Sequence, residues 1–256
     1  MLKAFERAIS PRKSGLGSGL CGVAGDVAKG RVRGNTLWVA LSIFLLCFAF
    51  LIDGPVARLF TLQSSTFWKH LAVYCSKAGE GWVVAVVGVA ASLTLFLLRR
   101  FAASRLVFLV ACTGLLTGAA ATIIRSLLGR TRPSSHELQG FYGVWHDSHW
   151  IIGKYEFGAF PSGHAATVIG LAAAAWLIDR RFGMLAAFYA LLVSWSRIAL
   201  GCHHFSDAVA AGILGVYGAH IILARLGPSV HYLWQRLQDA WQARSRFLNP
   251  PRDEPS

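Results

Sequence analysis

Residues 105–124 read RLVFLVACTGLLTGAAATII, with Arg125 directly behind them. After Arg105 the run carries no charge. Its length matches the ~20 apolar residues that an α-helix needs to cross the ~30 Å hydrocarbon core of a bilayer. One such run also suits the buried core helix of a soluble protein. Five more stretches, at 36–52, 81–98, 162–178, 183–200 and 207–226, share its character. Six apolar helices in so short a chain leave too little polar surface to clothe them in water, and only helices or closed barrels satisfy every backbone group in lipid. The expected fold class is therefore all-α, a polytopic membrane bundle of six transmembrane helices. Composition agrees: 55% of residues are hydrophobic, 14% are charged, and mean hydropathy is +0.50.

The flanks of the spans set the domain plan. Residues 1–35 are basic and glycine-rich with few large apolar side chains, which predicts a flexible basic cytoplasmic tail. The first apolar run lacks a small-residue cleavage site and reads as a retained span. Residues 36–226 form the membrane domain, and 227–256 are expected to be a second basic cytoplasmic tail. With the N-terminus inside, 17 of the 25 Lys and Arg residues lie on the cytoplasmic side. The positive-inside bias then places both termini in the cytoplasm.

The formal charge of +13 lies in clusters between apolar runs, a pattern suited to anionic lipid surfaces and not to nucleic acid. Five cysteines, at 21, 47, 75, 112 and 202, have neither zinc-site spacing nor scaffold density, so no disulfide or metal is expected from them. Two longer connections fall outside, at 53–80 and 125–161. In the first, Phe67, Trp68, Leu71 and Tyr74 are spaced either for a short amphipathic interface helix or for an ordinary loop with scattered aromatics.

In this topology nearly every unusual polar residue reaches one membrane face. Arg125 and Arg132 follow the third span and would face one point if its helix ran on through Thr131. Pro161-Ser162-Gly163-His164 opens the fourth span, and Arg197, His203 and Asp207 flank a break at Gly201. Taken singly, a span-end arginine snorkels to headgroups and Pro-Ser-Gly caps a helix. Their convergence suits a phosphoryl group: arginine forks bind its oxygens and stay charged. Ser162 and Gly163 add the free N–H groups of a helix start. A neutral imidazole can attack phosphorus, with a carboxylate steadying its other nitrogen, a role that fits His203 and Asp207.

These segments resemble the signatures of the type 2 phosphatidic acid phosphatase superfamily. Arg125 to Pro133 is similar to Lys-x6-Arg-Pro, Pro161 to His164 matches Pro-Ser-Gly-His, and Ser196 to Asp207 matches Ser-Arg-x5-His-x3-Asp. The resemblance covers roughly residues 40–226. It implies metal-independent and cofactor-free hydrolysis of a lipid phosphomonoester or lipid pyrophosphate through a phosphohistidine at the extracytoplasmic face. By position, His203 would be the nucleophile, Asp207 its orienting partner and His164 the acid. Arg125, Arg132, Ser162, Gly163 and Arg197 would bind phosphate, with arginine at 125 replacing the family lysine. The expected location is a bacterial inner (plasma) membrane, and the expected partners are the lipid phosphate substrate and membrane lipids.

A lipid phosphotransferase would use the same phosphohistidine. A non-enzymatic transporter or assembly subunit would instead place ionisable residues along the spans. His146, Asp147 and His149 offer metal-ligand types but lie in one short loop without helical spacing. His204 would attack only in another register, and Cys202 reads as a packing residue. His136, Glu137, Trp145, Trp150, Tyr155 and Glu156 are either a lid over the headgroup or interface-seeking side chains.

Overall fold

The computed structural model describes residues 35–60 and 66–248. The tail expected over 1–35 thus falls, apart from Asn35, outside the described residues, as does the end of the chain from 249. Seven α-helices follow in order among the described residues: α1 (Asn35–Phe60), α2 (Thr66–Ala78), α3 (Gly81–Leu97), α4 (Phe101–Leu128), α5 (Gly163–Ile178), α6 (Arg180–Ala199) and α7 (Phe205–Leu248). A two-stranded antiparallel hairpin, β1 (Trp145–His146) and β2 (His149–Trp150), and a 3-10 turn at Tyr155–Phe157 lie between α4 and α5. The protein is an integral membrane helix bundle.

Each of the six expected spans corresponds to a helix, but the count needs correction. Only α1, α4, α6 and α7 are long and apolar enough to cross alone, and α2 with α3 makes one further candidate bent by 59°. At 16 residues, α5 is shorter than a full span. It need not be longer, because α4, α6 and α7 surround it. Asp179 ends it abruptly and caps α6 at once, accepting hydrogen bonds from the Arg181 and Phe182 amides.

Small residues let this centre close. Ala165, Ala166, Val168 and Ala174 of α5 are fully buried, and the Thr117 hydroxyl of α4 lies 2.9 Å from the Ala166 carbonyl. A Cβ at Gly118 would run into Thr167 and one at Gly170 into Thr117, so α4 and α5 approach through glycine on both sides. Large apolar side chains cover the outside instead, among them Leu51, Leu59, Val87 and Leu185. That inversion of the soluble pattern is a lipid-facing surface.

Two expected connections are more regular than the sequence suggests. Residues 53–60 continue α1, so Asp53 and Pro55 sit inside a helix. Of the two readings of Phe67 to Tyr74, the helix holds: α2 packs on α6, with Trp68 edge-on to Trp195 and the Tyr189 hydroxyl donating to the Ala78 carbonyl at 2.7 Å. Residues 227–248 continue α7 through Pro228. At a rise of ~1.5 Å per residue, α7 is roughly twice as long as the ~30 Å core is thick, so its second half projects from the bilayer.

The end of α4 positions everything that follows. Gly129 caps it in the left-handed region at φ 58°, turning Arg130 and Arg132 into the bundle mouth. Arg132 therefore does not lie two helical turns beyond Arg125 on one helix. A Cβ at Gly129 would strike the Gly143 backbone as well as straining φ. Gly129→Ala should cost about 2–4 kcal/mol, whereas Gly227→Ala, with open space around its Cβ and a gain in helix propensity, should be neutral or stabilising. Thermal unfolding in detergent checks this, and equal shifts for the two variants would contradict it.

Candidate active site

Four helix ends and two connections meet at one end of the bundle. The end of α4 brings Arg125, the start of α5 brings Ser162, Gly163 and His164, and the end of α6 brings Arg197. The α6–α7 turn carries His203 and His204, and Asp207 stands in the first turn of α7. The 129–162 connection folds back over this end and supplies Arg130 and Arg132. Arg125, Arg132, Arg197 and His203 all lie near enough to His164 for their charges to act on its ring. The structure thus brings together all eight residues singled out from the sequence.

Ser162 caps α5 and is fully buried, its Oγ facing the Ala165 amide at 3.5 Å while its own amide donates to the Asp207 carbonyl at 3.2 Å. The Gly163 and His164 amides are orphan donors of the first helical turn. Gly163 lets neighbours come close: a Cβ there would lie 3.3 Å from the Arg125 guanidinium and the Thr122 hydroxyl, which would have to give by a few tenths of an ångström. A cleft of about 240 Å³ opens beside these groups. Arg125, Gly163 and His164 line its polar end, and Leu115, Gly118 and Ala119 line the other.

The arginines differ in how much of each is already engaged. Arg132 is stapled: Nε donates to the Tyr155 carbonyl at 2.6 Å, the two Nη groups to Cys202 and Gly158 at 3.2 and 3.3 Å, and the fork stacks 3.7 Å above the Tyr155 ring. Two of its five N–H donors remain. Arg197 gives one Nη to Ser76 on α2 at 2.5 Å, while its buried Nε has no partner among the described residues. Arg125 likewise makes no hydrogen bond or ion pair among them. This is an excess of positive donors in a sheltered place.

His203 is fully buried, and its two ring nitrogens are sharply distinguished. Nδ1 lies 2.8 Å from the Ala159 carbonyl and 3.4 Å from Asp207 Oδ2, while Nε2 has no partner among the described residues. A carbonyl accepts only, so the proton sits on Nδ1 and the lone pair on Nε2. The nearer orienting partner is therefore a backbone oxygen, not the Asp207 carboxylate. Burial pushes the His203 ring down to about 4, against the pull of Asp207 and with the help of Arg197 and Arg132. His204 does not share this posture: its ring nitrogen rests 3.2 Å from the Thr131 carbonyl.

Behind His203 lies a charge cluster to which the motif residues do not point. Arg130 is buried, donating to Asp207 at 2.5 Å, Asp53 at 2.8 Å and the Ser206 hydroxyl at 2.6 Å. Asp53 also accepts from the Ser206 amide and hydroxyl. The available signal was an aspartate on the flank of an apolar run, since an ionisable group at a span end asks for a partner. In the capping connection, Tyr155 contacts the site directly and Phe157 packs on Tyr142 and His146. His146 lies 3.4 Å from Asp147 and 3.8 Å from Glu137. Among the described residues no group of three or more metal-ligating side chains is placed to hold an ion.

The sequence profile of the PAP2 superfamily matches residues 102–230, which contain every motif residue of this site. The chain belongs to the PAP2 superfamily. One relative in it is the lipid A 4'-phosphatase of Bacteroides thetaiotaomicron, 31% identical over 68% of this chain and 80% of its own length. The lipid A 1-phosphatase of Rhizobium johnstonii is 29% identical over 56% of this chain, which spans only 55% of that protein. The PAP2-type phosphatidylglycerolphosphate phosphatase of Bacillus subtilis shares the fold, with a TM-score of 0.50 at 17% identity over 72% of this chain and 92% of that one.

The neutrality of buried His203 has a pH signature. With a ring value near 4 when folded and ~6.5 when unfolded, the unfolded chain binds more protons between those limits, so stability rises with pH across that window. The contribution is complete above pH ~6.5 and is lost as pH falls toward 4. Thermal unfolding between pH 7 and 5 should therefore be less pH-dependent in His203→Gln than in the wild type. An unchanged slope would mean that His203 is not held neutral.

Proposed function

We propose that this chain is a lipid phosphatase that hydrolyses a lipid phosphomonoester or pyrophosphate through a phosphohistidine on His203, at the extracytoplasmic face. The observation that carries the reading is a buried, unpartnered His203 Nε2 set among arginines with free donors. Uncompensated buried cations are costly, and a phosphate is the anion whose shape matches guanidinium forks. Membership of the PAP2 superfamily and its lipid phosphatase relatives support the same chemistry.

Phosphate oxygens take the free donors of Arg125, Arg132 and Arg197 and the Gly163 and His164 amides. These fixed groups meet the charge of five-coordinate phosphorus without reorganising. His203 Nε2 attacks, the P–N bond forms, and the bond from phosphorus to the lipid-side oxygen breaks as His164 hands that oxygen its proton. The charge of the bound anion beside His164 favours the protonated ring that this step uses. The imidazolium keeps its Nδ1 hydrogen bond to Ala159 and faces Asp207. Water then attacks phosphorus, His164 takes its proton, and inorganic phosphate leaves with His203 neutral again. The apolar end of the cleft at Leu115 and Ala119 suits the lipid side of the scissile bond.

Phosphate release across a panel of lipid phosphates in detergent micelles tests this. The wild type should turn over at least one of them in EDTA, and His203→Ala should lose at least 10³-fold. His164→Ala should cost a monoester at least tenfold more than a pyrophosphate, whose leaving phosphate needs less protonation. No release from any lipid phosphate, or full activity in His203→Ala, would overturn the reading.

A further inference from the structure

The clamp behind His203 holds one cation between two carboxylates. Arg130 meets Asp207 through one Nη and Asp53 through the other, and the Phe50, Phe141 and Phe160 rings stand 4.8–5.7 Å from its guanidinium carbon. Asp53 belongs to α1, outside the residues matched by the superfamily profile. We propose that Asp53 is a positioning residue for the reaction, drawing off part of the Arg130 charge so that Asp207 stays negative toward His203. The inference rests on His203 being the nucleophile of the proposed phosphatase.

The physical case begins from the geometry at Asp207. Its Oδ1 is held by Arg130, and its Oδ2 accepts from the His204 amide at 2.8 Å and faces His203 Nδ1 at 3.4 Å. With Arg130 as its sole ionic partner, Asp207 would form a neutral pair, presenting little field to a developing imidazolium. Asp53 changes that balance: the trio carries one net negative charge, and the aromatic walls keep water from screening it. Ser206 locks the arrangement, since its amide and hydroxyl both bind Asp53 at 2.8 and 2.6 Å and it follows His204 by two residues. Asp53 thus fixes the first turn of α7 as well as the charge behind it.

Every variant keeps the other charged or titratable groups around His203: Arg197 on α6, Arg132 and Tyr155 in the capping connection, His164 on α5, Arg125 on α4, and the adjacent Cys202 and His204, of which His204 itself feels Arg130, Asp207 and Asp53.

The test uses the full chain in detergent micelles with Asp53→Asn, Arg130→Gln and the double variant. Two readouts are compared: kcat and KM for a lipid phosphate, and the titration of His203 followed by NMR of isotope-labelled histidine, which needs no turnover. Asp53→Asn should lower kcat by roughly 10- to 100-fold with little change in KM, and weaken His203 proton affinity about tenfold, the scale of one charge in a poorly screened site. Arg130→Gln should strengthen that affinity, the direction in which unfolding also moves the ring, so the weakening in Asp53→Asn is the diagnostic shift, and Asp53→Ser supplies it if Asp53→Asn fails to fold. The double variant should return toward wild type in both readouts. Wild-type kcat and titration in Asp53→Asn, a fall in affinity in Arg130→Gln, or a double variant below Asp53→Asn would overturn the proposal. If no variant and no wild type releases phosphate, the phosphatase reading fails by itself, and the NMR shifts still decide whether Asp53 sets the charge at His203.

Discussion

A buried guanidinium with a carboxylate on each side organises the mouth of this bundle. Arg130 joins α1 through Asp53 and α7 through Asp207, and its own backbone pairs with the capping connection, where the Ala159 amide donates to its carbonyl at 3.0 Å. Desolvating three charges is expensive, and such clusters persist only when each member is fully paired. Here every carboxylate oxygen has a donor and the guanidinium rests among three aromatic rings. The Ala159 carbonyl, placed by the same strand of connection, then fixes the tautomer of His203. One salt-linked cluster therefore determines where His203 is and which of its nitrogens is free among the described residues.

In front of that cluster the logic reverses. Arg125, Arg197 and part of Arg132 have donors without acceptors among the described residues, and the first turn of α5 adds two amides. Negative charge behind the imidazole and positive charge before it form a directed field which, in the proposed reaction, lies along the path of phosphorus. The glycines are part of this device. Gly163 lets the Arg125 fork lie against the backbone, and Gly129 turns the chain so that Arg130 and Arg132 diverge, one inward to the carboxylates and one to the carbonyls of the capping connection.

What was legible in the sequence was the chemistry carried by local spacing. Pro161 to His164 and Arg197 to Asp207 are contiguous, so their motifs survive as strings, and the apolar runs locate the helices because lipid selects composition directly. Long-range pairing left no such trace. Asp53 lies 77 positions before Arg130 and 154 before Asp207, and nothing in a single sequence couples them. The bend between α2 and α3 escaped for a related reason: it follows from packing against α6 and α4, not from composition. Arg125 and Arg132 looked like one helical face until the left-handed Gly129 ended α4. The Ala159 carbonyl was invisible in principle, being a backbone group that any residue supplies.

The most direct measurement of the central claim is the chemistry of the trapped phosphoenzyme. Rapid quench at alkaline pH after mixing with a phosphorus-labelled lipid phosphate, followed by peptide mapping and phosphorus NMR, identifies both the residue and the ring nitrogen that carry phosphate. With Nδ1 committed to the Ala159 carbonyl and Nε2 free, the phosphoryl group should be found on Nε2 of His203 and nowhere else. Phosphate on Nδ1 of that ring, or on His164 or His204, would contradict the account.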